Sequence, residues 1–298
     1  MHRLSFFITF LAHSFSRQVE GTCFIGTRAF VKPVTLSASS RAAGMSTALL
    51  DNWSLEQEGG DASNTPELSD GYGGSGLTYP PGGEYKATLI WLHGLGDTAR
   101  GWGPQLADLL RRNKGTELDH VKLILPTAPT RRVTLNFGMA MPAWWDIKGL
   151  NPDQADVPEH LDECLARLTK IIDGEKDKPV VIGGFSQGGA LAVHTALNYG
   201  SSEAVKACVG LSSWLPVASS YDGNTDKVEA IKRKQLPMLM CHGTADQVVA
   251  FDWGVRSRDF LIKTLGVDVQ WETLNGVGHG SSEDEMRSVA NFLQRVLS

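Results

Sequence analysis

Residues 180–199 read VVIGGFSQGGALAVHTALNY. A β-branched run, Val180-Val181-Ile182, stops at Gly183-Gly184-Phe185-Ser186-Gln187-Gly188-Gly189. Apolar residues then recur at helical spacing through Leu191, Val193 and Leu197. A strand that meets a helix across a glycine-rich turn accounts for that change of period. One serine stands at the turn, and Gly184-Phe185-Ser186-Gln187-Gly188 fits the pattern G-x-S-x-G.

The pattern has a chemical reason. A serine hydroxyl is a weak nucleophile and must stand clear of the backbone to reach a carbonyl carbon. A tight turn lifts it to the tip in a strained conformation. Side chains two residues before and after would clash, so glycine fits at 184 and 188. The helix N-terminus then presents backbone N–H groups where negative charge develops. A plain strand–helix turn fits the same five residues. The choice between the two rests on the flanking elements and on partners downstream.

The chain as a whole narrows the class. It has 298 residues, with 28 Lys and Arg against 33 Asp and Glu, a net charge of −5. That mild acidity argues against a nucleic-acid footprint. No apolar run approaches the roughly 20 residues of a membrane span. Cys23, Cys164, Cys208 and Cys241 lack the close spacing of a metal site or disulfide framework. They read as small buried hydrophobes in a reducing compartment.

Composition divides the chain. Residues 1–44 carry Arg3, Arg17, Arg28, Lys32 and Arg41 among serines and apolars, with Glu20 the lone acid. This is the composition of an organelle presequence. Leu4 to Ala12 also suits the core of a secretory signal, and a start at Met45 would leave a cytosolic form. A disordered tail without an address is the fourth reading. Residues 45–83 are acidic, without Lys or Arg, and turn glycine- and proline-rich, which describes a linker. The expected folded domain is 84–298.

Within it, strands are expected at 86–92, 121–125, 180–182, 207–211, 236–242 and 268–274. Helices are expected at 102–113, 157–173, 254–265 and after Ser282, where Glu285 completes a capping box. Alternation of this kind implies a mostly parallel sheet covered by helices on both faces, an α/β fold. Active sites of such sheets form at the carboxyl ends of strands. His93 to Asp97, Ser186, Asp246 and His279 all fall there.

A serine nucleophile needs a base, and the base needs a carboxylate. In α/β-hydrolases the chain order is Ser, then Asp or Glu, then His. Of the histidines after Ser186, His194 lies inside a helix and His242 sits at the end of its own strand. His279 follows the last strand in a glycine-flanked loop and is the expected base. Asp246, in a short turn after a strand end, is the expected acid. Asp222 and Asp226 lie in a polar loop, and Asp259 in a helix. The oxyanion needs two backbone donors, expected at Gln187 and Leu95. His93 and His242, each before a glycine, read as structural hydrogen-bonding groups. Met139, Met141, Trp144 and Trp145 suit either a cap on the sheet edge or an acyl-chain wall.

With these residues in place, the chain resembles the acyl-protein thioesterase and lysophospholipase-like carboxylesterase family of α/β-hydrolases. The resemblance runs from about residue 84 to the end. It rests on WLHGLGD at 91–97, PTAP at 126–129, GFSQGG at 184–189, LSSWLP at 211–216, HGTAD at 242–246 and Gly278-His279. It implies a serine hydrolase that cleaves fatty acyl thioesters from protein cysteines, and related esters, without metal or cofactor. It carries the triad onto Ser186, Asp246 and His279 and the oxyanion donors onto Leu95 and Gln187. It also places residues 139–146 near the acyl chain. Family members often begin with a lipid-bearing cysteine, whereas here Cys23 is the only cysteine upstream of the domain.

The substrate stays open between acylated proteins and lysolipids or small esters. A non-catalytic ligand receptor on the same scaffold is a third reading, against which the full set of catalytic residues speaks. Only about 25 residues separate the strands at 207–211 and 236–242, too few for a large cap, so an open site is expected. The expected location is cytoplasmic, or a mitochondrion or plastid if residues 1–44 act as a presequence. At most peripheral membrane contact is expected.

Overall fold

The computed structural model describes residues 67–69, 76–151, 158–200 and 203–298. The expectations for residues 1–44, and for most of 45–83, fall outside them. Eight strands form one sheet: β1 (Glu67–Ser69), β2 (Gly76–Tyr79), β3 (Ala87–Leu92), β4 (Val121–Leu125), β7 (Val180–Phe185), β8 (Val205–Leu211), β9 (Pro237–Gly243) and β10 (Asp268–Leu274). Their order is β1-β2-β4-β3-β7-β8-β9-β10. From β4 to β10 every pairing is parallel, while β1 with β2 and β2 with β4 run antiparallel.

The parallel strands are continuous apolar runs because both faces are covered. β3, Ala-Thr-Leu-Ile-Trp-Leu, is buried at every position. Alternate side chains feed two cores. Leu89 and Trp91 pack with α1 (Ala99–Arg112) and α6 (Glu283–Leu297). Ile90, Leu92 and Ile182 pack with α2 (Pro158–Glu175), α3 (Gln187–Asn198) and α5 (Phe251–Lys263). β10 is the outer strand at the parallel end of the sheet and, among the described residues, the parallel strand that is half exposed, which its Gln270 and Glu272 suit.

Three features lie beyond the sequence reading. The sheet begins before residue 84, since β1 and β2 sit within the stretch expected as linker; Leu77 and Tyr79 of β2 are buried. The polar stretch after β8 holds a helix, α4 (Thr225–Lys234), whose Lys234 Nζ donates to the carbonyls of Leu197 and Tyr199 at 2.7 Å and so caps the end of α3. A separate hairpin, β5 (Thr130–Val133) with β6 (Met139–Pro142), stands where a loop was expected. No helix among the described residues is long and apolar enough to cross a membrane.

The capping box at Ser282 is half made. Ser282 Oγ accepts from the Glu285 N–H at 3.2 Å. The Glu285 carboxyl oxygens are buried and make no hydrogen bond of normal geometry. Burial pushes that carboxyl up to about 8, and the nearby Ser282 N–H offsets this only partly.

Candidate active site

Ser186 joins β7 to α3 with φ 54° and ψ −122°, a conformation that L-residues rarely adopt. Such strain costs roughly 1–3 kcal/mol and persists only where the surroundings enforce it. Here they do. The Ser186 N–H donates to Leu211 O at 2.8 Å, and its carbonyl accepts from the Ala190 N–H at 2.9 Å. A methyl group on Gly184 would lie 2.6 Å from the Gly188 backbone and from Leu92 O. One on Gly188 would lie 2.2 Å from Leu92 O and 2.4 Å from His93 O. The glycines let the elbow close directly onto the end of β3.

Three residues remote in sequence meet at its tip. His279 Nε2 is 2.9 Å from Ser186 Oγ, and His279 Nδ1 is 2.8 Å from Asp246 Oδ2. The Phe185 ring packs against the imidazole, with centroids 4.8 Å apart. The two loops that carry Asp246 and His279 are laced together: Thr244 N–H donates to Leu274 O, and Ala245 N–H to Val277 O, both at 3.0 Å. Asp246 Oδ1 accepts from the Val248 and Val249 N–H groups at 2.9 Å. Burial alone would raise the Asp246 carboxyl. Hydrogen bonds from His242, His279 and the Val248 amide outweigh burial and hold it well below the usual carboxylate range. His242, buried behind Asp246, has its Nε2 2.9 Å from Val249 O and 3.5 Å from Asp246 Oδ2. His194 lies in α3, away from this group, and burial pushes it down to about 4.

The Gln187 N–H opens α3, so no carbonyl lies one turn back to accept it. Leu95 sits in the loop after β3, tied down where Gly96 N–H donates to Pro142 O at 2.8 Å. Neither the Leu95 nor the Gln187 amide has a backbone acceptor among the described residues. The Gln187 side chain has a role that the sequence reading missed. Its Oε1 accepts from the Trp144 N–H at 3.0 Å, and its Nε2 donates to Trp145 O at 2.9 Å. A fully buried carboxamide thus fastens residues 144–145 to the elbow. No local pattern signals this, because the two partners are more than 40 positions away.

The four expected acyl-wall residues separate into two groups. Met139 is 45% exposed on β6, and Met141 is half-buried beside the glycine loop. Phe137, at the hairpin tip, is 73% exposed and adds a third apolar side chain beside them. Trp144 and Trp145 are 1% and 0% exposed. They are core residues behind the site rather than an open wall, because their backbones and the Trp144 indole are held by Gln187 and His93. Among the described residues no group of three or more His, Cys, Asp or Glu could hold a metal ion. Cys164, Cys208 and Cys241 are free and buried, and burial raises all three thiols.

The sequence profile of the Phospholipase/Carboxylesterase family matches residues 77–297. The chain belongs to that family. It is thus a serine hydrolase on the α/β-hydrolase fold. The family match begins inside β2, upstream of residue 84. Among relatives, acyl-protein thioesterase 1 homolog 1 of Dictyostelium discoideum is 37% identical over 219 residues, 72% of this chain and 92% of that protein. Acyl-protein thioesterase 1 of Yarrowia lipolytica is 40% identical over 225 residues, 72% of this chain and 94% of that protein. The crystal structure of Zea mays acyl-protein thioesterase 2 superposes with a TM-score of 0.67 at 33% identity, covering 76% of this chain and all of that one.

Proposed function

We propose that this hydrolase is an acyl-protein thioesterase that removes long acyl chains from protein cysteines through an acyl-serine intermediate. The observation that carries the proposal is the hydrogen-bonded chain Ser186–His279–Asp246 at a strained elbow, 2.9 Å and 2.8 Å per link. The similarity to acyl-protein thioesterases supports the substrate class. Ser186 is the nucleophile, His279 the general base and acid, and Asp246 the carboxylate that holds the ring and stabilises its charge.

In the resting state His279 Nδ1–H donates to Asp246, and Nε2 accepts from the Ser186 hydroxyl. His279 takes that proton as Oγ attacks the thioester carbon. The carbonyl oxygen becomes an oxyanion held by the Leu95 and Gln187 N–H groups. Collapse breaks the C–S bond, and the thiolate takes the proton from Nε2. Water then enters and His279 deprotonates it. Attack on the acyl-serine and a second collapse release the fatty acid and return the proton to Ser186. Asp246 stays ionised throughout, consistent with its lowered carboxyl. Met139, Met141 and Phe137 are the apolar side chains offered to an acyl chain.

A second reading is a carboxylesterase acting on lysolipids or small esters. The match to the Phospholipase/Carboxylesterase family supports it; the short segment after β8, whose only long element is the ten-residue α4, suits an acyl group on a bulky protein and does not exclude small substrates. Both readings share one mechanism and differ in specificity constant. The experiment is hydrolysis of a palmitoylated-cysteine peptide, a lysophospholipid and a short-chain ester by the same preparation. The thioesterase reading requires the highest kcat/KM on the palmitoyl peptide. A short ester ahead by tenfold or more would replace it with the second reading. Ser186→Ala should lose turnover and labelling by a fluorophosphonate; retained activity would refute the assignment of the nucleophile.

A further inference from the structure

His93 is buried at the end of β3 and takes no part in the proton relay. Both of its ring nitrogens are nevertheless engaged. Nδ1 is 2.7 Å from Gly94 O, which has no hydrogen and must accept. Nε2 accepts from the Ala128 N–H at 3.0 Å. These partners select the neutral tautomer with the proton on Nδ1. Burial keeps the ring neutral by pushing it down to about 4.

Gly94 O belongs to the same peptide unit as the Leu95 N–H. That unit is planar and trans, since no described peptide bond is cis. Its carbonyl and its N–H therefore point in opposite directions. An imidazole that grips the carbonyl turns the amide away from itself. The peptide lies against the nucleophile: a methyl group on Gly94 would be 3.5 Å from Ser186 Cβ. The Asp97 N–H reaches the same carbonyl at 3.2 Å and closes the turn from the other end.

The anchorage extends to the second amide. The His93 carbonyl accepts from Trp144 Nε1 at 2.8 Å, and the two rings pack with centroids 5.1 Å apart. The Trp144 N–H in turn donates to Gln187 Oε1. One buried hydrogen-bond network thus joins the loop after β3 to the first residue of α3.

We propose that His93 is a positioning residue for the oxyanion: its imidazole holds the Gly94–Leu95 peptide so that the Leu95 N–H faces the reacting oxygen. This rests on the reading of Leu95 as an oxyanion donor given above. An ordinary structural histidine would affect folding, or both substrate binding and turnover. A residue that aims one oxyanion donor acts mainly on the transition state.

The test compares three substitutions. In His93→Asn the carboxamide nitrogen can take the place of Nδ1 and keep the bond to Gly94 O. In His93→Gln the longer side chain can reach only the Ala128 N–H. His93→Ala keeps neither. Expected are kcat values within about threefold of the parent for H93N, and losses of about 10- to 100-fold for H93Q and H93A with KM little changed. Affinity for a long-chain trifluoromethyl ketone, which forms a tetrahedral oxyanion on the serine, should fall in parallel with kcat/KM. Trp144→Phe removes the donor to the His93 carbonyl from outside the motif. It should lower kcat and ketone affinity together by a smaller factor, and it serves if the His93 variants do not fold. Equal activity of H93N and H93Q, or losses in thermal midpoint and KM with unchanged ketone affinity, would overturn the proposal. If Ser186→Ala remained active in the same assays, the parent reading would fail instead.

Discussion

At the scale of single residues, the proposed mechanism depends on backbone held where it would not otherwise go. Ser186 has φ 54°, and the chain keeps it there by pressing Gly188 onto Leu92 O and His93 O. Gly188→Ala puts a carbon 2.2 Å from a carbonyl oxygen, so the elbow must move. A displacement on the order of 1 Å at a reacting group costs about 100-fold. G188A should lose at least that factor in kcat, measured on any ester that the parent turns over. Asp246→Asn tests a different feature. It preserves shape but removes the charge that, on the proposed mechanism, fixes the His279 tautomer, and a loss of about 10⁴-fold in kcat is expected, with folding retained by circular dichroism.

At the scale of elements, α6 carries an unusual first turn. Ser282 caps it, yet Glu285 buries its carboxyl with neither oxygen in a normal hydrogen bond. The folded carboxyl is raised to about 8 from an ordinary 4.5. Between those values the folded chain holds a proton that the unfolded chain has released. Stability from this group is therefore complete below about pH 4.5 and is lost as pH rises through about 8. Glu285→Gln should remove that slope and raise the unfolding free energy at pH 8 by up to roughly 4 kcal/mol. Urea unfolding of both proteins at pH 5 and pH 8 checks it; equal slopes would show the carboxyl to be ionised in the native state. α6 follows directly on the His279 loop, so its anchorage bears on the proposed base as well as on stability.

At the scale of the whole molecule, the sheet sets the boundary of the domain. β2 pairs with β4, and Leu77 and Tyr79 fill the core formed with α1. A chain cut at residue 84 would expose β4 as an edge and lose both side chains. Full burial of each such side chain stabilises by about 1.5–3 kcal/mol. The form 84–298 should therefore unfold at distinctly lower urea than 62–298, by roughly 3 kcal/mol or more. Equal stability would mean that β1 and β2 are accessory. The sequence suggests a linker here because its glycines, prolines and acids carry no periodic apolar signal. Four residues of strand are too few to show one.

Much of this architecture is written locally. Val180-Val181-Ile182, the glycines at 184 and 188 and the apolar period after them suffice for strand, turn and helix. The remaining strands follow from apolar runs that both faces of a parallel sheet demand. The candidates Ser186, Asp246 and His279 follow from reactive side chains at strand ends read in the α/β-hydrolase order Ser, Asp, His. What the tertiary structure alone decided is which groups touch. Ser186 and His279 are 93 positions apart, and no periodicity can say that their side chains meet at 2.9 Å. The same holds for Gln187 fastened to Trp144, for the two tryptophans placed in the core, and for His93 gripping Gly94 O beside Ser186. Secondary structure answers to neighbours a few residues away. Contact between distant residues answers to how the sheet twists and how its loops pack, and those depend on the whole chain at once.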